Sequence, residues 1–384
     1  MTIQLPLEEG ISLRRMHLGR SRRIVVKVGS AVLTGSDGLN LEVMAGLAAD
    51  INALFAEGRE VILVSSGAVA AGRRRLGVNA RALMLREKQA VAAVGQNTLM
   101  QAWEASFNPH GRRIAQLLLT HGDFSARDRY FNIRNTIFTL LSWGILPVIN
   151  ENDTVSVREL RFGDNDTLGA MLTSLIEADL FVCLTDVDGL YTDNPSANPE
   201  ARPVYTVVDV DRSIEAMAGN VVGALGTGGM RSKILAAKNV AARGGGSIIG
   251  PGRAAAVLSR MFAGEALGTF FLPREEKLPS RKHWIAYTLR AKGSLVIDDG
   301  ACRALREGGK SLLPAGVVDV LGQFAVGDPV ECVGRAGEKI AAGLVNYSAA
   351  DIRKIKGCRT SEIEQALGHR DSDEVIHRDN LVLV

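Results

Sequence analysis

The fold class follows from residues 24–64, IVVKVGSAVLTGSDGLNLEVMAGLAADINALFAEGREVILV. A short β-branched run at residues 24–28 leads into a helical stretch at residues 41–57, and a second apolar run follows at residues 61–64. A strand, a helix and a second strand in this order predict a right-handed βαβ crossover, which makes the two strands parallel in one sheet.

The same alternation continues further along the chain. Apolar runs typical of strands occur at residues 114–120, 146–149, 180–184 and 247–249. Helical stretches lie between them at residues 83–107, 166–177 and 230–243. We therefore expect an α/β fold in which helices cover both faces of a largely parallel sheet, an αβα sandwich.

The composition and pattern of the sequence change near Leu272. The segment LPREEKLPS, residues 272–280, holds two prolines and four charged residues, as linkers commonly do. Short apolar runs separated by Gly, Pro and Asp turns follow and predict a small β-rich barrel or sandwich with one or two helices. We predict four parts: an N-terminal extension at residues 1–21, a catalytic domain at 22–272, a linker at 273–280, and a β-rich domain with the C-terminal tail at 281–384.

Composition is that of an ordinary globular protein, with 46% hydrophobic and 23% charged residues. The 45 basic and 42 acidic residues are well mixed, so charge gives no reason to expect a polyanionic partner. No Cys-x-x-Cys pair occurs, and we interpret the cysteines as reduced thiols, Cys183, Cys302, Cys332 and Cys358. No apolar run approaches the ~20 residues that span a bilayer. We expect a cytoplasmic protein without a membrane segment.

The first 23 residues contain five arginines but no apolar core of the length that a secretory signal requires. We expect residues 1–21 to form a loose extension. Met16 is a second candidate for the start of the chain, beside Met1.

Two strand ends carry residues that suit anion binding. The first strand leads into Lys27, Gly29 and Ser30, and ligands of open α/β sheets bind beyond the carboxyl ends of the strands. Glycine lets backbone amides approach a phosphate, and lysine neutralises oxygens that become negative in phosphoryl transfer. The second strand ends in Ser65-Ser66-Gly67 before a helical stretch. Each motif alone is also typical of a surface lysine or a plain helix cap, and no Walker A loop occurs in the chain.

Two clusters of polar residues predict a functional site more strongly. Asn150-Glu151-Asn152-Asp153 follows an apolar run, and Gly163-Asp164-Asn165-Asp166 opens a helical stretch. One cap residue suffices for one helix, so capping does not account for both clusters. Four carboxylates at short range repel one another unless a substrate ammonium, Mg²⁺ or lysines neutralise them.

Two further loops suit a nucleotide. The segment TDVDGLYT, residues 185–192, leaves a strand and enters a turn-rich loop against which a base and ribose could lie. The segment GTGGMRSK, residues 226–233, is a glycine-rich loop that leads into a helix, with Lys233 one turn along. Loop amides together with a lysine suit the phosphates of ATP.

Together these motifs resemble the glutamate 5-kinases of the amino-acid kinase superfamily, across nearly the whole chain. They occur in the order VVKVGSAVLT, VSSGAVAAG, VINENDTV, GDND, LTDVDGLYT and GTGGMRSK. The segments SLLPAGVVDVLGQFAVGD and IAAGLVNYS of the tail are similar to the family's PUA domain. Aspartate, N-acetylglutamate, uridylate and carbamate kinases share single motifs only. The resemblance implies an amino-acid kinase fold followed by a PUA-like barrel.

The resemblance also implies a role for each matching residue. Lys27 and Lys233 would stabilise the transferring phosphoryl group, and Asp166, with Asp164, would organise the lysines and the metal-bound phosphates. The residues implied for glutamate are Ser66, Asn150, Asp153, Asp164 and Asn165. Those implied for ATP are Lys27, Gly29, Thr185, Asp186, Thr227, Gly228, Gly229, Met230, Arg231, Ser232 and Lys233. Arg231 departs from the smaller residue common in the family, and we expect it to point outward.

The implied reaction is transfer of a phosphoryl group from ATP, with Mg²⁺, to the side-chain carboxylate of glutamate. That carboxyl has a pKa of about 4.3, so it is ionised at pH 7 and needs no general base. The family relation implies the first step of proline synthesis, with proline as feedback inhibitor acting near residues 158–162. It further implies a glutamyl phosphate reductase as product acceptor, a homo-oligomeric enzyme, and no protein ligand to the metal.

Two alternatives stay open from the sequence. The chain could phosphorylate another acid, such as aspartate or N-acetylglutamate, because one methylene of reach is worth only ~1 to 3 kcal/mol. It could instead bind RNA through the PUA-like domain. The balance of 15 basic and 14 acidic residues over 281–384 argues against a strong basic face, although Arg353, Lys354, Lys356 and Arg359 cluster in sequence.

Overall fold

The protein is described by a computed structural model that covers residues 5–35, 38–78, 83–155, 165–195, 197–218, 229–275 and 278–383. The chain divides into two compact units, Met1–Lys277 and Leu278–Val384. None of the helices in the described ranges is both long enough and apolar enough to cross a bilayer.

The first unit alternates helices and strands. Its helices are α1 (Leu7–Arg20), α2 (Ser30–Leu33), α3 (Leu41–Ala56), α4 (Ala68–Leu76), α5 (Leu85–Phe107), α6 (His121–Ser125), α7 (Arg127–Ser142), α8 (Asn165–Leu175), α9 (Arg212–Met217), α10 (Met230–Ala242) and α11 (Val257–Phe262). Its strands are β1 (Arg23–Val28), β2 (Thr34–Gly35), β3 (Gly38–Leu39), β4 (Glu60–Ser65), β5 (Ile114–Leu119), β6 (Leu146–Glu151), β7 (Leu180–Thr185), β8 (Leu190–Tyr191), β9 (Pro203–Val204), β10 (Thr206–Val207), β11 (Gly246–Pro251) and β12 (Thr269–Phe271).

Eight of these strands form one sheet in the order β10-β12-β11-β7-β1-β4-β6-β5. The six strands from β11 to β5 are parallel to one another, whereas β12 pairs antiparallel with β11. The prediction of a largely parallel sheet is confirmed. After β1 the chain forms β4, which pairs with β1 on one side. It later forms β7, which pairs with β1 on the other side. Such a reversal opens a crevice beyond the carboxyl ends of the strands, which is where ligands bind in this class of fold.

Both faces of the sheet are buried, as expected for parallel strands between helices. Successive side chains of a strand point to opposite faces. Accordingly, Val25 of β1 belongs to a cluster with residues of α7, α8 and α10, while its neighbours Ile24 and Val26 belong to a cluster with residues of α1, α3 and α5. The predicted αβα sandwich is confirmed.

The N-terminal segment differs from the expected loose extension. Residues Leu7–Arg20 form α1, whose Leu18 is buried in the same cluster as Ile24 of β1. A Cβ at Gly10 would overlap the side chain of Thr206 in β10, so the helix lies close against the edge of the sheet.

The second unit has its own β-rich core. Its strands are β13 (Gly293–Ile297), β14 (Val317–Gly322), β15 (Pro329–Val333), β16 (Lys339–Leu344) and β17 (Leu381–Leu383), and its helices are α12 (Ser280–Tyr287), α13 (Asp299–Gly308), α14 (Ala349–Ile355) and α15 (Ile363–Leu367). The strands form one mixed sheet in the order β14-β13-β15-β16-β17. Leu295, Val330 and Ile352 lie in its buried centre. The predicted small β-rich domain is thereby confirmed.

Candidate active site

The candidate site is built at the carboxyl ends of β1, β4, β6 and β7. Lys27 is the fifth residue of β1 and lies opposite Val64 of β4 and Cys183 of β7. Beyond the strand, the backbone N–H of Gly29 donates to the carbonyl of Leu184 at 3.0 Å, which fixes the turn to the end of β7. A Cβ at Gly29 would lie 3.6 Å from Lys27 Nζ, so a side chain there would occupy the space next to the ammonium group.

Lys27, Asp166 and Lys233 form a buried lysine–aspartate cluster. Lys27 Nζ lies 2.5 Å from Asp166 Oδ1, and Lys233 Nζ lies 2.9 Å from Oδ2. Asp166 is fully buried, and each lysine is 5% exposed. One carboxylate therefore holds two ammonium groups that come from β1 and α10, which are far apart in sequence.

Two neutral donors also contact the Asp166 carboxylate. The hydroxyl of Ser232 donates to Oδ2 at 2.9 Å, and the thiol of Cys183 donates to Oδ1 at 3.3 Å. Burial would raise the pKa of Asp166, but the charges and hydrogen bonds of Lys27 and Lys233 outweigh it and hold that pKa far below its usual range. Burial and the Asp166 charge raise the pKa of Cys183 to about 12, so its thiol stays protonated and can donate.

The charges of this cluster favour an anion. Two ammonium groups and one carboxylate leave a net charge of +1 on these three side chains, in surroundings where charge interactions are weakly screened. Asp166 is the second residue of α8, and Lys233 lies in the first turn of α10, so two helix N-termini also point toward the cluster. Phosphate oxygens are the natural ligands of such an arrangement.

A chain of side-chain amides lies beside the lysine–aspartate cluster. Asn165 Nδ2 lies 2.8 Å from Ser66 Oγ and 2.9 Å from Asn150 Oδ1, and it donates to both. Asn150 Nδ2 in turn donates to Gln96 Oε1 of α5 at 2.9 Å. Asn165 Oδ1 is buried and has no hydrogen-bond partner among the residues that the structure describes. That oxygen is thus an acceptor suited to a substrate donor.

The amide chain borders a cavity of about 360 Å³, here called the acid cavity. Its wall is formed by α5, β5, the last residue of β6 and the residues that follow it, namely Ala92, Ala93, Gln96, Asn97, Met100, Gln116, Leu118, Glu151, Asn152, Asp153 and Thr154. Gln96 belongs to both the wall and the amide chain. The predicted residue Asp153 therefore opens onto the same space as the amides.

A second cavity of about 220 Å³, here called the base cavity, adjoins the loop after β7. It is lined by Asp188, Gly189, Leu190, Tyr191, Pro203, Val204, Tyr205, Pro251, Ala266, Leu267, Gly268 and Thr269. Thr185 and Asp186, at the start of this loop, are joined by a 3.0 Å hydrogen bond from Thr185 Oγ1 to Asp186 Oδ1. The segment TDVDGLYT thus contributes one wall of this cavity.

The other described residues implied for ATP lie at the start of α10. Gly229 caps the helix, and Ser232 and Lys233 turn toward Asp166, whereas Arg231 is exposed and faces away from them. Asp164, Thr227, Gly228 and the segment 158–162 lie outside the described residues.

Two members of the site could not be found by sequence motif. Gln96 lies within the long helix α5, and Cys183 lies within the buried strand β7. Both stand within regular elements, and although Gln96 follows Gly95, neither belongs to a motif with a recognisable role, so the tertiary contacts identify them.

The described ranges contain no group of three or more His, Cys, Asp or Glu side chains arranged to hold a metal ion. The lysines already neutralise Asp166, so the carboxylate that the structure places at the centre of the site is committed to them. A Mg²⁺ ion would fit here as part of a nucleotide complex, held largely by phosphate oxygens and water.

Comparisons relate both units to known proteins. Residues 22–249 match the amino acid kinase family and residues 293–367 match the PUA domain. The chain is 56% identical over 375 residues to the glutamate 5-kinase of Desulfotalea psychrophila, covering 97% of this chain and 100% of that protein. It is 51% identical over 371 residues to the glutamate 5-kinase of Syntrophus aciditrophicus, covering 97% and 96%. A UMP kinase structure from Bacillus anthracis covers 67% of this chain and 98% of its own, at 14% identity and a TM-score of 0.46.

Proposed function

The chain belongs to the glutamate 5-kinase family of amino acid kinases, and from that premise we propose that it transfers the γ-phosphoryl group of ATP to the side-chain carboxylate of L-glutamate. The products are L-glutamyl 5-phosphate and ADP. The observation that carries this proposal is the buried lysine–aspartate cluster, in which Asp166 holds Lys27 and Lys233 on its two oxygens.

The proposed chemistry needs positioned cations and no general base. Glutamate offers a carboxylate that is already ionised at pH 7, since its pKa is about 4.3. A carboxylate oxygen forms a bond to the γ-phosphorus while the bond from that phosphorus to the bridging oxygen of ADP breaks, and ADP keeps the electron pair. The barrier comes from bringing two anions together, and Lys27 and Lys233 lower it by neutralising the phosphoryl oxygens.

Asp166 orients these two lysines. Lysine side chains are flexible, and a common carboxylate partner fixes both ammonium groups at one spacing before the substrates arrive. Ser232 and Cys183 in turn fix the carboxylate, so the geometry is set by residues of β7, α8 and α10.

We assign glutamate to the amide chain and the acid cavity. The amide oxygen of Asn165 and the carboxylate of Asp153 suit the α-ammonium group, which an N-acetylated substrate lacks. Ser66 and Asn150 complete the proposed glutamate site through their contacts with Asn165. Asp164 remains a proposed member of this site.

We assign ATP to the opposite side of the lysine–aspartate cluster. Gly29 and the residues 227–233 suit the phosphates, and Thr185 and Asp186 with the base cavity suit the ribose and base. Mg²⁺ bound with ATP would neutralise part of the phosphate charge.

The family relation supports further proposals on the enzyme's place in metabolism. Its product is an acyl phosphate, which water or its own amine would attack, so a reductase that accepts L-glutamyl 5-phosphate would have to act next. We propose that this is the first step of proline synthesis, that proline inhibits it, and that the enzyme is a homo-oligomer. A proline ring resembles cyclised glutamate, which supports overlap with the glutamate site.

The alternative of RNA binding receives less support from the second unit. Lys356 pairs with Asp319 at 2.8 Å, Lys354 lies 4.0 Å from Asp351, and Arg353 donates to the carbonyl of Gly322 at 2.6 Å. Cations that already have protein partners form a weaker phosphate-binding surface than a free basic face.

The test offers glutamate, aspartate and N-acetylglutamate separately to the protein with ATP, Mg²⁺ and hydroxylamine, and quantifies the hydroxamate trapped from an acyl phosphate. We expect product with glutamate and its loss in Lys27→Ala and Lys233→Ala. Lys238→Ala is the matched control, because Lys238 lies on the same helix as Lys233 but pairs with Glu215 at 2.6 Å. Hydroxamate with aspartate alone would reassign the substrate, and none with any acid would overturn the proposal.

A further inference from the structure

Arg14 of α1 is a buried charge that the proposed chemistry does not use. Its side chain is 1% exposed, and its Nη2 donates to the carbonyl of Leu267 at 2.5 Å. Its Nε and Nη1 are buried and have no hydrogen-bond partner among the described residues. Burial lowers the pKa of Arg14 to about 10, and no carboxylate opposes that shift.

Stability does not account for this arginine. A buried guanidinium with one hydrogen bond loses more hydration than it recovers, and apolar replacements of buried charges are often neutral or stabilising. The helix has other anchors, since Leu18 is buried in the core and Gly10 lies directly against Thr206. The arginine is therefore better explained by the group that it contacts.

That group belongs to the wall of the base cavity. Leu267 and its neighbours Gly268 and Thr269 line the cavity. Thr269 Oγ1 accepts the backbone N–H of Leu190 at 2.8 Å and donates to the carbonyl of Val204 at 2.5 Å. The segment that Arg14 holds is thus hydrogen-bonded to two other walls of the cavity, one of which belongs to the TDVDGLYT loop.

We propose that Arg14 is a positioning residue for the nucleotide, which holds the Leu267 carbonyl and so sets the wall against which the base of ATP lies. The inference rests on the proposed function, which places the nucleotide beside that loop. It gives α1 a part in substrate binding, although no residue of the helix lines the cavity.

The test compares Arg14→Met, which removes the donor at similar volume, with Arg14→Lys, which keeps a donor and a charge. We expect Arg14→Met to raise the KM for ATP roughly tenfold, as a loss of about 1.4 kcal/mol would do, while the KM for glutamate stays unchanged. Preference for ATP over GTP should fall as well, and Arg14→Lys should recover most of both. Arg20→Met is the control, because Arg20 is exposed on the last turn of the same helix.

Thermal unfolding and direct binding separate the possible outcomes. Arg14→Met should unfold at or above the temperature of the unaltered protein, and a protein that fails to fold would overturn the energetic argument and the inference with it. An unchanged KM for ATP, or equal loss for both substrates, would overturn it too. Calorimetric titration with a non-hydrolysable ATP analogue needs no acid substrate. It therefore measures the effect of Arg14→Met on nucleotide affinity even if the assay with glutamate yields no product.

Discussion

At the scale of the residue, we expect a substitution of Asp166 to have the largest effect on activity and stability. Asp166→Asn removes the charge that pairs with both lysines but keeps the size of the side chain. We expect kcat to fall by about 10²-fold or more, because misplaced cations no longer stabilise the phosphoryl group, and the free energy of unfolding to fall by ~3 to 5 kcal/mol. Hydroxamate kinetics and urea unfolding measure the two effects.

The control for that substitution is Asp209→Asn, which breaks the exposed pair with Arg274 at 2.9 Å. Exposed pairs contribute about 0 to 1 kcal/mol, so its activity and stability should stay close to those of the unaltered protein. Wild-type kinetics in Asp166→Asn would contradict the proposed role of the cluster.

The same carboxylate predicts how stability depends on pH. The pKa of Asp166 in the folded protein lies far below its value of about 3.9 in the unfolded chain. The contribution of the Asp166 carboxylate to the free energy of unfolding is therefore fully present above about pH 5. It is lost as the pH falls toward the folded pKa, because the unfolded chain then binds a proton at this carboxylate and the folded protein does not. Unfolding free energies measured from pH 6 to pH 3 should decline less steeply in Asp166→Asn, by up to ~1.4 kcal/mol per pH unit. Parallel curves would show that Asp166 does not titrate as proposed.

At the scale of the element, close packing of α4 on α5 connects the fold with the acid cavity. A Cβ at Gly72 of α4 would overlap the backbone carbonyl of Val91 in α5. Helix α4 follows Ser66, and α5 carries Gln96, so separating the helices would disturb the amide chain. We expect Gly72→Ala to destabilise the protein by ~1 to 3 kcal/mol and to raise the KM for glutamate more than the KM for ATP.

Gly46→Ala in α3 is the matched substitution. Gly46 is exposed and a Cβ there would meet no atom within 4 Å, so the change should stabilise the protein by ~0.5 to 1 kcal/mol. If both alanines had the same effect, close approach of α4 and α5 would not be the cause.

Elements with a strong periodic pattern were the ones that sequence could predict. The predicted helix at residues 41–57 corresponds to α3, and the predicted strand at 180–184 corresponds to β7. Helix α1 was not predicted, because its buried face consists of Gly10, Arg14 and Leu18, and among these only Leu18 is a typical core residue. The antiparallel strand β12 has three residues, too few for a pattern to show its direction.

The candidate site divides in the same way. Lys27, Asp166 and Lys233 stand at strand or helix ends in recognisable motifs, and the structure brings them into contact. Cys183 contacts Asp166 and Gln96 contacts Asn150, each from the middle of a regular element where no local motif marks the residue as part of a site. Their contribution depends on which strands become neighbours, and that is a property of the whole sheet.

At the scale of the whole molecule, every described residue of the candidate site lies in the first unit, Met1–Lys277. That unit and the second have separate hydrophobic clusters. We therefore expect residues 1–277, produced alone, to fold and to form glutamyl hydroxamate with a kcat within about threefold of the full chain, since compact units with their own cores commonly fold independently. Thermal unfolding and gel filtration check that the shortened protein is folded and show whether its assembly has changed. A folded, shortened protein without activity would mean that the second unit contributes to catalysis, and the proposed site would then be incomplete.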